Sequence, residues 1–266
     1  MYSFFIGLGP ILQAVIAASV AWAVTALGAS TIFLTREFNR KLFDAMMGFA
    51  AGVMLAVCFW SLLEPAVRMV NGRVLPALIG FLIGGFSFWN IDKILPHLHS
   101  GFSLNETEGV KSSLRGSALL VLAITLHNIP EALAIGVAFG AAATGLSTTT
   151  LAHAITLAIG VAIQDFPEGL AVAFPLRREG ISRTKSFGYG ALSAAVEPIG
   201  ALIGAAAIIM VKKLLPYALG FSAGAMLFVI VEELIPESQR GGNTDLATLC
   251  TIFGFALMMV LELSIV

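Results

Sequence analysis

The chain has 266 residues, of which 58% are hydrophobic and only 12% charged, with a formal net charge of −1 and a mean hydropathy of +0.93. That is far more apolar surface than a soluble core of this size buries, so a lipid environment is the simplest account and a soluble globular domain is excluded. The near-neutral charge and the lack of a basic stripe leave no place for a nucleic-acid partner, and Cys58 and Cys250 match no CxxC metal or redox pattern.

In chain order, uncharged runs at 8–33, 45–63, 116–130, 132–164 and 246–261 alternate with short charged clusters. A run of roughly 20 apolar residues spans a bilayer. The pattern predicts eight helices, at about 8–33, 41–66, 75–96, 114–140, 149–175, 185–211, 213–236 and 246–265. The first has no basic segment before it and reads as a retained span rather than a cleaved signal. Together they form a single transmembrane domain over 1–266, in which residues 97–113, carrying His97 and His99, read as a flexible cytoplasmic loop. Arg36, Arg40, Lys41, Lys93, Lys111, Arg115, Arg177, Arg178, Arg183, Lys185 and Arg240 fall on one side of such a topology, against Arg68, Arg73, Lys212 and Lys213 on the other. The excess of positive charge puts the first group in the cytoplasm and both termini outside.

The chain also resembles itself. GFAAGVMLAV at 48–57 matches GFSAGAMLFV at 220–229 at seven of ten positions, and the same offset of 172 residues aligns AVTALGA at 23–29 with AVEPIGA at 195–201. Spans one and two thus correspond to six and seven, and by extension three to eight. Five spans separate the copies, an odd number, so the copies cross the membrane in opposite senses. The expected fold is an all-α membrane protein with eight transmembrane helices in a 3+2+3 arrangement, an inverted repeat (helices 1–3 and 6–8) around helices 4 and 5. The bland alternative is that Gly- and Ala-rich helices resemble one another through small-residue packing.

The two central helices carry the chemistry. HNIPEALAIGVA at 127–138 and QDFPEGLAVAFP at 164–175 each place a polar pair ahead of x-Pro-Glu. His127 and Glu131 are four residues apart and share a helix face, with Asn128 on its flank; Gln164, Glu168 and Asp165 repeat the pattern. Pro130 and Pro167 each remove a backbone hydrogen bond and free the carbonyls of Leu126 and Ile163. Helix six adds Glu197, followed by Pro198, where the repeat partner has Thr25. An ionised group at the membrane centre costs a few kcal/mol or more, so Glu131, Asp165, Glu168 and Glu197 need cations, protons or one another. Two divalent ions would neutralise the four, as carboxylate and histidine sets in helical bundles do. Mixed imidazole, amide and carboxylate ligands suit Zn²⁺, Fe²⁺ or Mn²⁺ better than Ca²⁺ or Mg²⁺.

These motifs resemble the ZIP family of metal transporters, whose fourth and fifth helices carry His-Asn-x-Pro-Glu-Gly-like and x-x-x-Pro-Glu-Gly-like motifs. The run Gln164, Asp165, Phe166, Pro167, Glu168, Gly169 is similar to the bacterial branch. The resemblance implies divalent-metal transport into the cytoplasm by alternating access, most readily Zn²⁺ and also Cd²⁺, Fe²⁺ or Mn²⁺. Its metal is cargo at two ions per site, with no prosthetic group, in the bilayer of a bacterial inner membrane. It implies one metal position on His127, Glu131, Gln164 and Glu168. The adjacent one falls on Asn128, Asp165 and Glu197 with the two shared glutamates, and Met54 caps the first. Ala132 replaces the usual Gly, and Gln164 stands where many members have His, which weakens affinity for soft metals.

Other readings compete. The buried polar tiers could simply fasten helices together, a role that four acids fill badly. His153 reads as a structural or interfacial residue; Glu233 and Glu237 either line an exit or are ordinary interfacial acids. A membrane metalloenzyme could use the same metal pair, although HExxH is missing from the sequence. A proton-coupled carrier of an organic substrate, a sensor or a channel are further rivals. Oligomeric state is left open, a homodimer included.

Overall fold

A computed structural model describes residues 5–34, 39–94, 116–145 and 150–264. The loop at 97–113, with His97 and His99, lies outside the described residues. Eight helices among those described are long and apolar enough to cross a membrane: Pro10–Phe33, Arg40–Arg68, Leu75–Ile94, Ile124–Ala142, Leu151–Arg178, Arg183–Met210, Lys212–Gln239 and Thr244–Leu263, here spans one to eight. They match the eight expected from the sequence to within a few residues, span four being the apolar part of a helix that runs from Gly116 to Ala142.

Burial sorts the spans into layers. Spans four and five are 72% buried over their most apolar window, whereas three and eight are only 22% buried. The first pair is the centre of the molecule and the second presents Leu82, Phe86, Leu249 and Phe253 outward. In a bilayer such outward apolar faces need no further cover, because lipid tails are as apolar as the side chains.

What then holds the helices together is close approach at small residues. The most extensive contacts pair span three with seven, two with eight, four with the second half of six, and one with five. Gly84 lies against the carbonyl of Phe221, and Gly254 against that of Phe49; a Cβ at either glycine would strike the facing backbone. Phe49 and Phe221 are 172 residues apart, so the two contacts occupy equivalent places in the repeat. These four most extensive pairings map onto one another when spans one, two and three are exchanged with six, seven and eight, and four with five.

Spans two and seven share an irregularity at corresponding positions. Val57–Leu63 and Ile230–Leu234 are wound as π-helix. Each is followed within two residues by a proline, Pro65 or Pro236, which offers no N–H to the carbonyl four residues back; a widened turn accommodates that ring. Span six is interrupted. Its first helix ends at Ser193 and the second begins at Glu197, with Pro198 in the first turn. A proline there gives up an N–H that would have had no intrahelical partner, and the acidic side chain sits at the positive end of the helix. The sequence led us to expect a continuous helix over 185–211; the Glu-Pro pair was the signal for its restart.

Candidate metal site

Of the seven polar residues expected from spans four, five and six, six are buried together and one is turned partly away. Asn128, Glu131, Gln164, Asp165 and Glu197 are buried completely, and Glu168 is 6% exposed. Glu131, Asp165 and Glu168 each offer an oxygen, and these oxygens lie within 4.8 Å of one another. Glu197, at the restart of span six, is the fourth buried acid. The residue that turns aside is His127, whose Nε2 lies 3.7 Å from Glu233 Oε1 in span seven.

Two amides are oriented by neighbours. Asn128 Nδ2 donates to the carbonyl of Ser193 at 3.1 Å, the last helical residue before the break in span six, and this leaves its Oδ1 for the site. Gln164 Nε2 donates to Glu131 Oε1 at 2.6 Å and likewise leaves its own Oε1 unused. The result is a set of eight buried oxygens without a hydrogen-bond donor: Asn128 Oδ1, Glu131 Oε2, Gln164 Oε1, both oxygens of Asp165, Glu168 Oε2, and both oxygens of Glu197. Leaving a buried acceptor unsatisfied costs about 1–3 kcal/mol, more when it is charged. A concentration of acceptors with no donors is matched chemically by cations.

From Glu168 a small cavity of about 30 Å³ continues between the helices, lined by His127, Glu233 and Glu237 together with Met47 and Val229. Sequence spacing placed His127 on the Glu131 face; the structure puts it on the wall of this cavity, beside Glu168. Met54 is wholly buried in the central apolar cluster. His153 sits at the start of span five, where the Thr150 hydroxyl accepts from its backbone N–H and lies 2.7 Å from its Nδ1. That is a helix cap, in keeping with the structural reading.

The family described as "ZIP Zinc transporter" matches residues 103–262. The chain belongs to the ZIP zinc transporter family. It is 37% identical to zinc transporter ZIP11 of Xenopus tropicalis, with 97% of this chain and 99% of that protein covered. Zinc transporter GufA of Myxococcus xanthus is 38% identical over 94% of this chain and 98% of its own length. Zinc transporter ZIPB of Bordetella bronchiseptica is 37% identical, over 94% and 80%. This is a multi-pass membrane family of metal transporters, so the metalloenzyme alternative is set aside for the ZIP reading.

Proposed function

We propose that this ZIP protein carries divalent transition metals, Zn²⁺ first and also Cd²⁺, Fe²⁺ or Mn²⁺, into the cytoplasm through a two-metal site on spans four, five and six. Glu131 and Glu168 bridge two ions. Gln164 and His127 complete the first position, with Met54 as its cap, and Asn128, Asp165 and Glu197 complete the second. Four acidic side chains and two divalent charges then balance, which removes the cost of isolated charges at membrane depth.

The observation that carries this reading is the group of eight donorless buried oxygens, held on three helices with no buried Lys or Arg among the described residues. A structural polar network would pair donors with acceptors; this one concentrates acceptors. The cavity from Glu168 past His127 and Glu233 to Glu237 supports an exit toward the cytoplasm. The exchange symmetry of the helix pairs supports the 3+2+3 inverted repeat and, with it, alternating access about a site between the copies. Both termini lie outside in this reading, and the membrane is a bacterial inner membrane.

The test is uptake of Zn²⁺, Cd²⁺, Fe²⁺ and Mn²⁺ into liposomes holding the purified protein, beside a Glu131→Ala, Glu168→Ala double variant. Saturable uptake that falls by about 10–100-fold or more in the variant is expected, since both bridging ligands are gone. A wild-type protein that binds metal stoichiometrically but moves none would overturn transport and return the site to a sensor.

A further inference from the structure

The cavity lined by Glu168 is also lined by Glu237, taken here as its mouth, and Glu237 is paired with a tethered cation. Arg40, at the start of span two, places Nη1 2.9 Å from Glu237 Oε1 and donates Nη2 to the Glu237 carbonyl at 2.8 Å. Its Nε donates to Asp44 Oδ1 at 2.6 Å. Asp44 is completely buried, and its other oxygen accepts from Asn243 Nδ2 at 2.8 Å, so it is held from both sides. Arg240 Nη1 lies 3.9 Å from Glu237 Oε2. Two arginines and two carboxylates therefore balance in charge around Glu237, whereas the four acids of the inner site do not.

We propose that Arg40 is a latch at this mouth: its guanidinium occupies Glu237 in the place a departing divalent cation would take, so that metal is held at the inner site and not at the exit. The inference rests on the exit direction proposed above. Its physical basis is competition for one carboxylate. A guanidinium reaches Asp44, the Glu237 carboxylate and the Glu237 carbonyl at once through its fork of donors, which an ammonium cannot do. Asp44 is the positioning residue that fixes the fork. A cation arriving from His127 and Glu233 then meets a carboxylate already neutralised and passes to solvent. Uncovered, Glu237 and Asp44 would instead form a cytoplasmic trap for divalent ions.

Zinc bound at equilibrium and zinc taken up by liposomes are to be measured for wild type, Arg40→Gln, Glu237→Gln and the double variant. Arg40→Gln is expected to retain about one further Zn²⁺ per chain, as a freed pair of carboxylates can, and to deliver zinc more slowly. Adding Glu237→Gln removes the extra ion. Equal zinc binding by Arg40→Gln and wild type, or an extra ion that persists in the double variant, overturns the latch. Breaking a buried pair risks misfolding, so Gly241→Ala is the second variant: a Cβ there meets Asp44 Oδ2 and the Arg40 side chain, which displaces the latch and keeps every charge. It should show the same retention in weaker form. If wild type moves no zinc while the Glu237-dependent ion still emerges, the transport reading fails and the masking of Glu237 stands; if wild type transports and Arg40→Gln behaves like it, the latch alone fails.

Discussion

In the proposed site, Gln164 would set how soft a cation the first position accepts. Its amide nitrogen holds Glu131 Oε1, so it offers an incoming ion only the amide oxygen. An imidazole at the same place would supply nitrogen, a better ligand for zinc and cadmium than for manganese. Gln164→His is therefore expected to raise the preference for Zn²⁺ and Cd²⁺ over Mn²⁺ by about 10-fold, in line with single-ligand effects, read from competitive uptake in liposomes. An unchanged ratio would remove Gln164 from the selectivity argument. At this scale the sequence was informative about which residues are polar and share a face, because i, i+4 spacing and the two Pro-Glu pairs fix that within one helix. It was silent about which neighbour each face meets. The hydrogen bond from Asn128 to Ser193 depends on the break in span six, and the approach of His127 to Glu233 depends on how span seven is wound.

Whole helices were legible because each apolar run is long and bounded by charge. The interruptions were not, since a hydropathy window averages over the three residues between Ser193 and Glu197, and over a π-turn, without loss of apolar character. Packing between the elements is the more exacting feature. At Gly84 an added side chain would meet the Phe221 carbonyl on span seven, backbone that cannot move without separating the two spans. Gly84→Leu is expected to destabilise the protein by about 1–3 kcal/mol or more, seen as a lower melting temperature in detergent. Gly188, in the first half of span six, has nothing within 4 Å of its missing Cβ. Gly188→Leu should leave the melting temperature unchanged or raise it, because a glycine in an exposed helix interior is itself unfavourable by about 1 kcal/mol. Equal losses at the two positions would mean that helix propensity rather than close approach governs the spans.

Across the whole molecule the two segments related by sequence make corresponding main pairings and differ in chemistry. Span one runs as a continuous helix from Pro10 to Ser30 and carries Thr25 where span six carries Glu197. Thr25 spends its hydroxyl on the Ala21 carbonyl at 3.3 Å. The site acids therefore lie on spans four, five and six with no counterpart in span one, and the cavity lined by Glu168 and Glu237 reaches the face that carries Arg40 and Arg240. Whether that face is cytoplasmic rests on the distribution of Lys and Arg, and labelling tests it. In a chain with Cys250 replaced, and with Cys58 4% exposed and so protected, a cysteine at Ser264 should react with a membrane-impermeant maleimide from outside intact cells. A cysteine at Glu179, between spans five and six, should react only after the membrane is opened. The opposite result would invert the molecule: the mouth at Glu237 would then face outward, the Arg40 contact would guard entry rather than release, and uptake would have to proceed by the path now assigned to the external side.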